Sequence, residues 1–442
     1  MAMKVLVTDG DQRPALAIVR ALGRRGASVV VGEEHPGSLA AASKYCRRHV
    51  TYPSPYRQRE AFDAFLLDFV RRERLDVVLP VTDVTTHAIC LKQDALRPHC
   101  AVAVPPFEAF DFVTDKWRLL ESAQRSGVPI PRTLFVDGLA GLKKHQDQVE
   151  YPAVVKPVRS RIPTDRGWLS AGAQYAASET ELRRLYEATE HLASYPSLLQ
   201  ERIVGPGIGI FVLFDRGQLV ADFAHRRLRE KPPAGGVSVL RESIPVDPSL
   251  RAHAVRLLGP IGWHGVAMME FKQDQRTGRF FLMEVNGRFW GSLQLAIDAG
   301  LDFPYLACQL ALGCRSEVAA TYTVGVKSRW LLGDLDHLLL RLFKSDRQLN
   351  LPEFAPSRVR TLVDFLKFVQ PDVRYEVINR DDPRPFLYEL RQNATALLES
   401  AAPFLRKRAG HASPAPRTGP EMIPTAQMIP MVQGPPCLKP KI

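Results

Sequence analysis

Two apolar stretches of the chain end in residues that can do chemistry. In "FFLMEVNGRFWGS", Phe280–Ser292, an apolar start gives way to Glu284, Asn286 and Arg288 at every second position. A strand puts alternate residues on one face, so a carboxylate, an amide and a guanidinium share a side. "GVAMMEF" delivers Glu270 in the same way. A carboxylate at the end of a core strand is costly unless it is paired or bound to a cation. Glu270, Glu284 and Asn286 offer hard oxygen donors of the kind Mg²⁺ takes alongside phosphates and waters. The other reading is a row of salt bridges to Arg or Lys at a sheet rim. Spacing alone does not choose between them.

Several cations sit where they can serve an anionic ligand. Lys156 ends the apolar stretch "YPAVVKPV" and precedes a segment containing Gly167 and Gly172. Lys116 stands at a helix start, where the macrodipole disfavours a cation but favours a phosphate. Arg288 can stabilise charge developing at a carbonyl or phosphoryl centre, or simply pair with Glu284. "HRRLREKPPAGG" carries Arg226, Arg227 and Arg229, whose guanidinium forks suit carboxylates. The alternative for each is a basic hairpin tip on the surface. Asp83, in "PVTDVTT", ends a strand; it either caps the next helix, the favoured reading, or faces a cleft and binds an amine.

The elements that must position these residues can be read from periodicity. "KVLVTDGD", "RPALAIVRALGRRG" and "ASVVVGE" form a β-α-β unit without G-x-G-x-x-G. Further helix-then-strand alternation follows, so residues 1–106 read as one open parallel α/β domain. Thr114 or Asp115 caps a helix ended by Gly127. "RSRIPTDRGWLSAGA" has no period and reads as a loop, with Arg159, Arg161 and Arg166 available to a phosphate or an acid. "SETELRRLYEATEHL" opens with a capping box. Hairpins turn at Asp215–Gly217 and near Thr277–Gly278. From Val326 onward the pattern is mostly helical and Leu-rich. The basic amphipathic "RWLLGDLDHLLLRLF" is expected to pack on the domain rather than on a membrane surface.

The order of these pieces resembles the ATP-grasp superfamily, on the branch of carbamoyl-phosphate synthetase and related carboxylate–amine ligases. The order is an open α/β domain, D-K at a helix start, V-V-K-P before a glycine-bearing loop, then Q-E-R-I, M-E-F and M-E-V-N-G-R. The resemblance covers roughly Met1 to Gly313, and "EVNGRFWGSLQLAIDAG" carries most of it. It implies a pre-ATP-grasp Rossmann-like domain at 1–106 and two α+β subdomains, at 107–200 with the lid and at 201–325 with the metal site. A helical extension at 326–410 and an unfolded Pro-rich tail at 411–442 complete the expected layout.

For the site, the resemblance implies that Lys116 and Lys156 contact ATP phosphates. Gln200, Glu201, Arg202 and Ile203 frame adenine, Glu270, Glu284 and Asn286 hold Mg²⁺ (or Mn²⁺), and Arg288 steadies an acyl phosphate. Arg226, Arg227 and Arg229 lie on the loop that in relatives borders the acceptor site. It also implies an ADP-forming ligase that joins a small carboxylic acid to an amine, and a homodimer. Two departures stand out: "GPGIGIF" lacks the acidic residue that many relatives use for ribose, and the lid is poor in glycine. They leave open a regulatory or scaffolding ATP-binding protein with little turnover.

Composition agrees with this class. The chain has 442 residues, 45% apolar and 24% charged, which is ordinary for a globular protein of two or three domains. A net charge of +12 suits anionic ligands, and no basic run is interleaved with aromatics, so nucleic acid is not expected. The six cysteines show no metal-ligand spacing, and neither a leader nor a membrane span is evident. A cytoplasmic enzyme is the expectation.

Overall fold

The computed structural model describes residues 2–164, 167–314, 321–352, 355–368 and 370–408. Met1–Arg391 form one compact unit; of the second unit, Gln392–Ile442, residues 392–408 are helical. The tail expected at 411–442, Cys437 and Arg166 lie outside the described residues.

The chain opens with five parallel strands, β1 (Lys4–Val7), β2 (Ser28–Glu33), β3 (Cys46–Thr51), β4 (Val77–Leu79) and β5 (Ala101–Val102), ordered β3-β2-β1-β4-β5. Val5–Val7 and Val77–Leu79 are buried, as a parallel sheet covered by crossover helices requires. The strand order reverses between β1 and β4, and the crevice beyond their C-terminal ends is where such sheets bind ligands. Asp9 sits there with φ of 57°. Its Oδ2 accepts from the Val81 and Thr82 amides and from the Thr85 hydroxyl, fixing the loop that carries Asp83. Thr82, not Asp83, caps the helix Asp83–Leu96. The threonine hydroxyl reaches the Thr85 amide, which leaves the Asp83 carboxylate free to turn outward.

A four-stranded antiparallel sheet follows, of β6 (Thr133–Asp137) and β7 (Ala153–Pro157), then β10 (Gln174–Ala176) and β11 (Pro196–Glu201), in the order β10-β7-β11-β6. Between β7 and β10, β8 (Arg161–Thr164) and β9 (Gly167–Ser170) form a separate hairpin. The sequence reading made this segment a loop. Ile162 pairs with Leu169 across it, an apolar cross-strand contact too short to register as a period. Trp168 packs edge-on against His87 of the first domain, with ring centroids 5.0 Å apart.

The largest sheet has seven strands: β12 (Gly207–Asp215), β13 (Gln218–Lys231), β14 (Val237–Ile244), β15 (Gly265–Gln273), β16 (Phe280–Asn286), β17 (Lys327–Arg329) and β18 (Val373–Tyr375). Their order is β16-β15-β12-β13-β14-β17-β18. The mostly helical extension therefore also supplies two strands that continue this sheet. It is pinned by buried ion pairs. Asp382 binds Arg20 at 2.9 Å, and Glu376 lies between Arg13 and Arg241. No described helix is long and apolar enough to cross a membrane.

Candidate active site

The site is built on the first strands of the large sheet. Glu270 on β15 and Glu284 on β16 stand directly opposite one another. The register then slips, so that Phe271 faces Leu282 and Met283 is an extra residue. This bulge lets Met283 and Glu284 both reach the cleft while Leu282 and Val285 stay in the core. Asn286 follows Glu284 by two and shares its face. Its amide donates to Glu284 Oε1 at 3.1 Å, and its Oδ1 accepts from Arg288 at 3.2 Å.

The neighbouring strand β12 begins Gly-Ile-Gly-Ile. Ile208 and Ile210 are buried in the core, so Gly207 and Gly209 take the cleft face. The absent side chains matter. Arg227 on β13 lies across Gly207, where a Cβ would come within 2.8 Å of its Cδ. It thereby reaches Glu270 at 2.6 Å and Glu230 at 2.9 Å. Of the three candidate arginines on this strand only Arg227 enters the site. Arg226 points to the other face and pairs with Glu242. Arg229, displaced by a bulge, binds Asp334 of the C-terminal extension through both terminal oxygens.

The cations gather opposite the carboxylates. Lys116 opens the helix Lys116–Arg125, which Asp115 caps. Its Nζ donates to Ser160 at 2.7 Å and lies 3.4 Å from Glu284. Lys156, on β7, has its Nζ 3.8 Å from the Met283 sulfur. Arg288 bonds to Asp83 at 3.0 Å, which makes that acid of the first domain part of the site. Arg159 pairs with Asp111 and Asp115, while Arg161 lies near the Tyr56 ring without an acidic partner among the described residues.

Electrostatics follow this layout. Desolvation works against the Glu284 charge, but Lys116, Lys156, the Asn286 amide and Arg288 overcome it and hold the carboxyl at about 2. Desolvation pushes Glu270 upward, Arg227 opposes it, and the Glu284 charge adds to the rise. Burial brings Lys156 down to about 8 despite Glu284. Each carboxylate thus has a cationic partner, the alternative that spacing left open. Yet facing carboxylates, one of them pushed upward, are crowded negative charge that a divalent cation relieves. With the Asn286 oxygen they form a hard donor set suited to Mg²⁺.

Two cavities meet at these carboxylates. One, of about 270 Å³, is bounded by Lys116, Lys156, Glu270, Glu284 and the segment Gln200–Ile203 at the end of β11. Gln200 Nε2 bonds to Thr133 and its Oε1 has no partner among the described residues. The Glu201 carboxylate turns away to the Arg132 amide. Tyr175, Glu230 and Lys272 also line this cavity and were not read from the sequence. Lys272 lies two positions past Glu270, so alternation marks it; nothing marks Tyr175. The second cavity, of about 470 Å³, lies on the other side, against Asp83, Arg161, Arg227 and Arg288.

Residues 194–332 match the family model described as ATP-grasp in the biosynthetic pathway with Ter operon. The chain is 22% identical over 339 residues to the N-terminal section of the carbamoyl phosphate synthase large chain of Methanopyrus kandleri. That match covers 73% of this chain and 57% of the relative, so the chain spans little more than half its length. Among solved structures, biotin carboxylase in complex with βγ-ATP from Campylobacter jejuni superposes with a TM-score of 0.59 at 17% identity, covering 74% of each chain. L-amino acid ligase from Bacillus licheniformis gives 0.54 at 20%, covering 70% of this chain and 74% of that one.

Proposed function

We propose that this chain, whose fold is that of the ATP-grasp superfamily, is an ADP-forming ligase that joins a small carboxylic acid to an amine. One observation carries the reading: Glu270 and Glu284 form the shared wall of two cavities. The first has the Gln200–Ile203 backbone and the lysines for ATP; the second has the arginines for an acid. The names of the similar proteins, a carbamoyl phosphate synthase and an L-amino acid ligase, support the same class.

Each residue then has a task. Lys116 and Lys156 hold the phosphates, and backbone groups of Gln200–Ile203 face the base. Glu270, Glu284 and Asn286 would hold Mg²⁺ (or Mn²⁺), which when bound neutralises phosphate charge. Arg288, oriented by Asp83 and Asn286, binds the acid and stabilises charge on the transferring phosphoryl group. The acid's oxygen bonds to the γ-phosphorus as the bond to ADP breaks, a step governed by positioning and electrostatics. The amine then bonds to the activated carbonyl carbon, phosphate leaves, and the amine's proton passes to solvent. The β8–β9 hairpin covers the site and keeps water from the activated acid.

Two tests bear on this. With acid labelled with ¹⁸O in its carboxylate, the released phosphate carries one label; unlabelled phosphate contradicts direct activation. Arg288→Lys keeps the charge but not the fork, so we expect kcat to fall about 100-fold with KM for ATP nearly unchanged. A matched rise in KM for ATP would instead place Arg288 on the nucleotide.

A further inference from the structure

We propose that the second cavity recognises a carboxylic acid whose far end is an uncharged amide or hydroxyl, read by His225. The inference rests on the ligase reading for where the reacting carboxyl sits. The remainder comes from one row of residues across the sheet. Glu284, Glu270, Gly209 and His225 are successive partners on β16, β15, β12 and β13. Their side-chain positions face the cleft, and at Gly209 there is no side chain. The space a side chain would take there is filled by the Phe211 ring and by His225, whose Nε2 lies 3.0 Å from where a Gly209 Cβ would sit, so the imidazole leans over β12 with its edge on Phe211. Strands lie about 4.8 Å apart, so His225 stands roughly 10 Å from Glu270 along the cavity floor.

His225 lacks what a buried histidine normally has. It is 1% exposed and forms part of the cavity wall, yet neither ring nitrogen has a hydrogen-bond partner among the described residues. No mechanism step uses it. Orphaned polar atoms of this kind are rare in native interiors and call for an explanation. Burial, with Arg227 and Arg241 nearby, holds the ring neutral. A neutral imidazole offers one N–H donor and one bare nitrogen acceptor. Trp290, which stacks on Phe211 in the same wall, adds an indole N–H that is likewise buried and unpartnered.

A primary amide or a hydroxyl is both donor and acceptor and matches this set. An alkyl end leaves all three nitrogens unmet, a situation that sites built for hydrogen bonds reject strongly. The two guanidiniums that act on His225 are already taken, Arg227 by Glu230 and Glu270 and Arg241 by Glu376, so a second carboxylate at the ring finds neither free; Arg161, in the same cavity but beside Tyr56, is the cation left to a carboxylate.

Calorimetric binding in the presence of MgADP tests this with matched acids: L-glutamine, L-glutamate and L-norleucine, and glutaramate, glutarate and hexanoate. The amide member of a set is expected to bind at least 10-fold tighter than its partners. That advantage should fall below threefold in His225→Phe and largely survive in His225→Asn, which keeps a donor and an acceptor. Melting curves of both variants establish that they fold. The proposal is overturned if the alkyl or dicarboxylate member binds tightest, if the advantage survives in His225→Phe, or if no member binds. Should the amide preference hold while none of these acids stimulates ADP release, the ligase reading fails and the subsite stands. Should ADP release follow another class of acid, the reverse is true.

Discussion

At the scale of single residues, charge in this protein is set by who stands opposite. Glu284 faces cations and stays ionised; Glu270 is pushed upward by burial, against Arg227, with the Glu284 charge adding to the rise. Glu33, at the end of β2, shows the same logic away from the site. Burial lifts its carboxyl to about 7, with Asp9 adding to the rise against the Asp11 and Glu34 amides. A folded value above the unfolded 4.5 means that the folded chain binds more protons between those pH values. Stability is then full below pH 4.5 and falls as pH rises through about 7, by ~3 kcal/mol. Glu33→Gln removes the titration, so the wild type should lose stability relative to it across that window. A difference independent of pH contradicts this. Alternation in the sequence showed that Glu284, Asn286 and Arg288 share a face. The ionisation of Glu33 was not legible there, because it depends on strands brought together from distant parts of the chain.

At the scale of elements, β12 decides what the site can be. Its Gly-Ile-Gly-Ile start reads in sequence as a missing ribose acid; in the fold it is a bare strip that lets side chains of β13 reach those of β15. Gly207→Val should push Arg227 off Glu270 and leave buried charge unpaired, costing about 3–5 kcal/mol in denaturant titration. Arg227→Leu breaks the same pair. The double variant should cost far less than the sum, because one interaction cannot be lost twice. Additive costs would show that Arg227 does not cross Gly207. Apolar strand ends and helix caps were readable because they depend on neighbours in sequence. The bulge at Met283, the departure of Arg229 to Asp334 and the β8–β9 hairpin were not, since pairing across the sheet or with the extension settles them.

At the scale of the whole molecule, the extension after residue 325 is, as far as Arg391, part of one compact unit with the rest of the chain. It lengthens the large sheet and offers Glu376 and Asp382 to Arg241 and Arg20, far earlier in the chain. Asp382→Ala strands a buried Arg20 and should cost about 3–5 kcal/mol; a cost under 1 kcal/mol in equilibrium unfolding would mean the extension is merely appended. The helix after β4 is equally tied in, through Asp83 on Arg288 and Trp168 on His87. Asp83 after the first sheet, Lys156 on the four-stranded sheet and Glu270 and Glu284 on the large sheet thus line two adjoining cavities. The account stands or falls on what happens there. ADP release from MgATP should be followed with small carboxylic acids, each with an amine present, in the wild type and in Glu284→Gln. We expect at least one acid to raise the wild-type rate 100-fold or more over the variant. If every acid leaves the wild type at the level of Glu284→Gln, the carboxylates are a structural ion-pair network and the protein is not a ligase.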